Sequence, residues 1–177
     1  MSTADAQERM VTAVFRTPLD AQTAYEQLLA RGYAVKEISV LMSDSTRTQL
    51  HAEHESSSEA GSLAVEGMGV GGAIGTAVGA TIAALAAVGT SMVVPGLGLV
   101  IAGPIAAALA GGGAGAVTGG IVGALVGYGI PEPDAAAYQD ALRNGGVVMG
   151  VVPRDSDQAD EVKDVFRANH GVSICYT

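Results

Sequence analysis

From Gly67 to Pro131 the chain runs for 65 residues without one Asp, Glu, Lys, Arg or His. Within that run glycine recurs every fourth residue on two ladders. The first is Gly67, Gly71, Gly75 and Gly79, continued by Ala83 and Ala87; the second is Gly111, Gly115, Gly119, Gly123 and Gly127. On a helix a four-residue step keeps positions on nearly one face, so each ladder predicts a smooth stripe along which another backbone can approach closely. A stripe of this kind serves helix packing and asks for no chemistry.

The rest of the chain is built differently. All nine Lys and Arg residues and all 18 carboxylates lie outside the run, giving formal charges of −5 before it and −4 after it. Acidic flanks argue against nucleic acid as a partner, because phosphate binding asks for clustered basic residues. They also offer no polybasic handle for anionic headgroups, so any attachment to a bilayer must come from insertion. With 25 glycines, no Trp and 4% aromatic residues, a core of large side chains is not expected throughout. The opening MSTADAQERMVTAVF has neither a basic segment nor an apolar one, and no cleaved signal peptide is expected. Cys175 has no intramolecular disulfide partner and reads as a small apolar residue of the last strand.

Residues 1–9 read as a tail. Met10 to Arg16 is apolar and β-branched, a candidate strand. A helix follows, with Thr17 as N-cap, Pro18 at its first position and Ala21, Ala24, Tyr25, Leu28 and Leu29 at helical spacing until Gly32. Glu37 to Met42 reads as a second strand, and 43–65 as a polar linker with some helical tendency. After the uncharged run the same grammar returns: a helix over Asp134 to Arg143, a strand over Val147 to Val152, a helix over Asp157 to Asn169 and a strand over Val172 to Tyr176.

Strand, helix and strand thus occur twice, in 10–42 and in 132–177, and neither half can bury its apolar face alone. Pairing them predicts an α+β fold, a ferredoxin-like split βαβ sandwich with two helices on one face of a four-stranded antiparallel sheet. The segment 66–131 then interrupts it as a long glycine-zipper helical hairpin. Glu66 to Thr90 and Pro104 to Tyr128 would each supply about 25 helical residues, or ~37 Å, against a hydrocarbon thickness of ~30 Å. Pro95, Gly96 and Gly98 mark the hairpin turn between them. Two readings follow. In the first the hairpin inserts in the cytoplasmic membrane with both termini in the cytoplasm, the lipid bilayer and other copies of the chain being its partners. The alternative is a soluble cytoplasmic assembly that buries its hairpins in a shared homo-oligomeric core, with room for lipid.

No motif in the chain points to catalysis. The glycines carry no GxxxxGK[ST], and no lysine lies between Lys36 and Lys163, so a phosphate loop is disfavoured. His51, Glu53, His54 and Glu55 could place metal ligands on one helical face, but two histidines in a serine-rich linker read better as a solvated segment. No catalytic residue, metal site or cofactor is expected, and the chain is read as non-enzymatic.

The segments FRTPLDAQTAYEQLLARGYAVKEISVLMSD (15–44) and VVPGLGLVIAGPIAAALAGGGAGAVTGGIVGALVGYGIPEPDAAAYQDALRNGGVVMGVVPRD (93–155) resemble the bacterial general-stress or heat-induced stress protein family. The Pro-Gly turn, Ile130-Pro131, Tyr138 and Gly145-Gly146 are the most specific points of likeness. The resemblance implies stress association and a membrane-linked architecture with a glycine-rich centre; it carries no catalytic residues to transfer.

Overall fold

The computed structural model describes residues 9–50, 52, 92–94, 98–106 and 115–176. The chain opens with β1 (Val11–Phe15), crosses in α1 (Pro18–Ala30) and returns through a single 3-10 turn (Val35–Glu37) into β2 (Ile38–Ser43). Residues 44–50 are helical. Then come β3 (Met92–Val94), β4 (Leu99–Ala102), α2 (Gly115–Gly127), α3 (Glu132–Arg143), β5 (Val147–Val151), α4 (Ser156–Ala168) and β6 (Val172–Tyr176).

Local chemistry sets most of these boundaries. The Thr17 hydroxyl accepts the Asp20 N–H at 3.2 Å and Pro18 opens α1 with its φ already suited to a helix. Gly32, at φ +87°, closes it: its N–H donates to Leu29 O and that of Tyr33 to Leu28 O, a left-handed stop that satisfies the last carbonyls. Helix α4 is opened in the same way by the Asp155 carboxylate, which accepts the Gln158 N–H at 2.7 Å.

The strands form one antiparallel sheet in the order β3-β4-β2-β5-β1-β6. Every residue of β1, β4 and β5 is buried, so the sheet must be covered on both faces. Alternation sorts the side chains. Val11, Ala13, Phe15, Val40, Met149 and Val151 meet α1 and α4 on the first face, where Phe15 and Phe166 lie edge to face at 5.5 Å. Val14, Leu41, Leu99, Ile101 and Val148 point the other way, against Ile105, Ile121 and Leu125 of the uncharged run and Tyr138 and Leu142 of α3.

The α+β architecture and the antiparallel sheet agree with the sequence reading, but the helical hairpin does not. The stretch expected to turn between two long helices is itself a β-hairpin: β3 pairs with β4, and β4 pairs with β2 from Val40↔Ala102 to Ser43↔Leu99. This stretch is therefore on the same side as the flanking halves and cannot be the far turn of a spanning hairpin. The second expected helix is also shorter, since only 104–106 and 115–127 are helical among the described residues and Gly120 breaks α2 at φ 62°, ψ −152°. Among the described residues no helix is long and apolar enough to cross a membrane. The inserted-hairpin reading, and with it a transmembrane helix in the cytoplasmic membrane, is set aside; the first expected span, Glu66 to Thr90, lies outside the described residues. The sheet is also wider than expected and carries helices on both faces, because the apolar run supplies two strands and part of the second cover.

Candidate assembly surface

On the second face of the sheet a transverse row of small residues receives the uncharged segment. Gly150 of β5 pairs with Thr12 of β1 on one side and Ser39 of β2 on the other. The Ser39 hydroxyl accepts the Ile105 N–H at 3.1 Å, so a side chain within the sheet anchors the chain that covers it. A Cβ at Gly150 would lie 2.5 Å from Met10 Sδ, so the end of the Met10 side chain would have to shift, and 3.4 Å from Ile105 Cδ1, an ordinary contact: the Ile105 side chain packs over this glycine. Gly103, where the chain leaves β4, is the more tightly constrained, because there the obstacle is backbone. Its φ is +86°, and a Cβ there would collide with the Ile38 carbonyl oxygen and sit 2.7 Å from Ser39 Cα.

The same row holds α3. Tyr138 is fully buried, and its hydroxyl donates to the Ser173 carbonyl at 2.8 Å. With that proton committed, the Thr12 hydroxyl, also 2.8 Å away, is the donor to the phenol oxygen. Ser173 reaches this position through a bulge in the β1–β6 pairing, where its φ of +49° turns the carbonyl out of the ladder. Burial raises the Tyr138 phenol well above its ordinary value, so it stays protonated and remains a donor. Cys175 faces Thr12 in the next strand. Burial, then the charge and hydrogen bond of Asp134, push its thiol up from the ordinary value, which leaves it protonated and unreactive at neutral pH.

Outside this layer α2 presents a second apolar surface. Ile121 and Leu125 are buried toward the sheet; Val122 and Gly123 are partly covered, and Val126 (41% exposed) and Gly127 face outward. The helix GAVTGGIVGALVG has no charged residue on any side. Ordinary surface helices pair an apolar face with a polar one, and a helix apolar all round is a buried helix. A Cβ at Gly127 would meet nothing within 4 Å, so no contact among the described residues requires glycine there.

The expected ladder residues are distributed across this picture. Gly115, Gly119, Gly123 and Gly127 lie in α2, but the break at Gly120 separates the first two from the last two, so they do not share one straight stripe. Gly67, Gly71, Gly75, Gly79 and Gly111 lie outside the described residues, as do Pro95, Gly96 and the histidine pair His51 and His54. Gly98 sits in the β3–β4 turn at φ +62°, and its carbonyl accepts the Asp44 N–H at 2.8 Å. Among the described residues no group of His, Cys, Asp or Glu could hold a metal ion. Thr12, Ser39, Gly103 and Gly150 escaped the sequence reading. Their signal was present as small or polar residues interrupting otherwise bulky strands, but it acquires meaning only once register aligns three of them in one row. No protein-family model, curated protein or solved structure matches this chain.

Proposed function

We propose that this protein is a non-enzymatic, self-assembling structural protein whose uncharged, glycine-rich segment is buried against protein, first on its own sheet and then between copies. The observation that carries the reading is α2. One side of it already packs on the sheet through Ile121 and Leu125, and the other leaves Val126 and Gly127 exposed on a helix without a charge. Another copy's α2 is the surface of matching chemistry, since glycine permits close backbone approach and leaves no polar group unpaired. The acidic flanks would stay in water and keep the particles soluble.

The flanking halves are read as a ferredoxin-like domain. Supporting this are the strand order β2-β5-β1-β6, the crossing of α1 between β1 and β2, and the crossing of α4 between β5 and β6. The association with stress rests on the resemblance of 15–44 and 93–155 alone.

The test is the mass of the detergent-free particle by analytical ultracentrifugation, for the native chain and for Gly127→Leu and Val126→Glu. Both substitutions fall on exposed positions and should leave the fold of a single chain intact by circular dichroism. The native chain is expected to sediment as an oligomer and both variants as smaller species. A native monomer, or variants that assemble as the native chain does, would overturn the reading.

A further inference from the structure

At one end of the sheet the start of β1, the start of β2 and the end of β5 converge, with Val152 N–H donating to Glu37 O at 3.2 Å. Between them lies a cleft of about 540 Å³ lined by Arg9, Lys36, Glu37, Val152, Pro153 and Arg154. Its charges run against those of the molecule. The chain carries −9 overall, yet three of its nine cationic side chains line this cleft beside one carboxylate, leaving a local excess of two positive charges.

The carboxylate is arranged to hold one of those cations in place. Glu37 Oε2 accepts the Ala34 N–H at 2.8 Å, and Arg154 Nη2 reaches both Glu37 oxygens at 3.1 and 3.2 Å. The Ala34 hydrogen bond, followed by Arg154, keeps Glu37 below the usual carboxylate range, so it stays charged and positions the guanidinium. Arg9 and Lys36 form no ion pair among the described residues, whereas Arg31, Arg47, Lys163 and Arg167 are each matched with a carboxylate. Among the described residues two cations are therefore left without an ion pair beside a third held in fixed orientation.

We propose that this cleft binds a small molecule bearing a phosphate or pyrophosphate group. An anion with two or more charges matches the local excess, and a guanidinium fork suits the geometry of phosphate oxygens. Val152 and Pro153 offer an apolar wall for the body that carries the phosphate, and the volume falls in the range of small-molecule pockets, about 300–1,000 Å³. Nucleic acid does not fit, because three clustered basic residues on a protein of net charge −9 make too small a basic patch to follow a phosphate backbone.

Inorganic pyrophosphate, titrated calorimetrically into the full chain at low salt, is the probe. Saturable binding is expected, weakening as sodium chloride is raised. Arg9→Ala and Arg154→Ala should each weaken it by about fivefold or more, as the loss of a charge-assisted contact implies, and Arg143→Ala, an exposed arginine outside the cleft, should leave it unchanged. Absence of saturable binding would overturn the proposal. So would equal binding of acetate, or equal weakening by all three variants, which would mean diffuse charge rather than a site.

Discussion

The two faces of the sheet are covered by different means. On the first, α1 and α4 are amphipathic helices that bring Tyr25, Leu28, Val162 and Phe166 onto Phe15 and Met149, and bulk fills the space. On the second, the row Ser39, Gly150 and Thr12 is kept small, so that the chain at Ile105 and the ring of Tyr138 come close to the sheet and are fixed there by hydrogen bonds. Large side chains hold by the area they remove from water, a contribution that tolerates some rearrangement. Close backbone approach holds by the absence of atoms, and one added methyl group undoes it.

The largest expected effect tests the first face. Phe166 is fully buried and packs edge to face on Phe15, so Phe166→Ala removes both area and a ring contact and should cost about 3–5 kcal/mol. Urea unfolding of the variant measures it. A loss near 1 kcal/mol would mean that this face is loosely packed and that the contrast with the second face is misplaced.

Next comes the smallest substitution on the second face. Gly103→Ala adds a single methyl, yet it must adopt a left-handed backbone and push away the Ile38 carbonyl and Ser39 Cα. A cost of roughly 2–4 kcal/mol follows from the two penalties together. Hydrogen exchange should show the loss first in β4 and the end of β2, where the chain departs from the sheet. A neutral Gly103→Ala would remove the claim that close approach sets this face.

The difference between the faces also explains what could be read in the chain beforehand. Helices α1 and α4 and the strands they cover announce themselves, because Thr17-Pro18, Gly32 and the spacing of Val162, Val165 and Phe166 are local signals of start, stop and period. The strands β3 and β4 do not. Leu99–Ala102 is a short apolar run inside a longer one, and without a polar alternation a doubly buried strand looks like a piece of helix. Its turn was visible at Pro95, Gly96 and Gly98, but a turn does not say whether it joins helices or strands. The kink at Gly120 is hidden for a related reason: the tandem Gly119-Gly120 fits the ladder step and also the backbone break that interrupts it. Of the second-face row, Tyr138 stood out by resemblance, whereas its partners Thr12 and Ser173 are defined by strand register and a bulge, which are properties of the paired sheet.

The finest test sets two buried tyrosines against each other, one on each face. Tyr25, against the first face, is fully buried and its hydroxyl has no hydrogen-bond partner among the described residues; Tyr138, against the second, has two. Tyr138→Phe leaves the Ser173 carbonyl and the Thr12 hydroxyl unpaired and should destabilise by about 1–3 kcal/mol. Tyr25→Phe removes a hydroxyl that makes no bond, so its effect should be small and of opposite sign, a gain of up to about 1 kcal/mol. Alkaline pH separates them further. Burial pushes the Tyr25 phenol up to about 12 from an ordinary value of 10.0 and moves Tyr138 in the same direction. In the unfolded chain these phenols ionise near 10, so the unfolded state binds fewer protons above that pH. Folding stability from both is present below 10 and declines as pH rises toward the folded values. Urea midpoints between pH 8 and 11 should fall less steeply in each Phe variant than in the native chain, with Tyr25→Phe starting at or above the native midpoint at pH 8 and Tyr138→Phe below it. If the two variants start at the same stability, the hydrogen bonds of Tyr138 contribute nothing net, and the second face is held by apolar contact as the first one is.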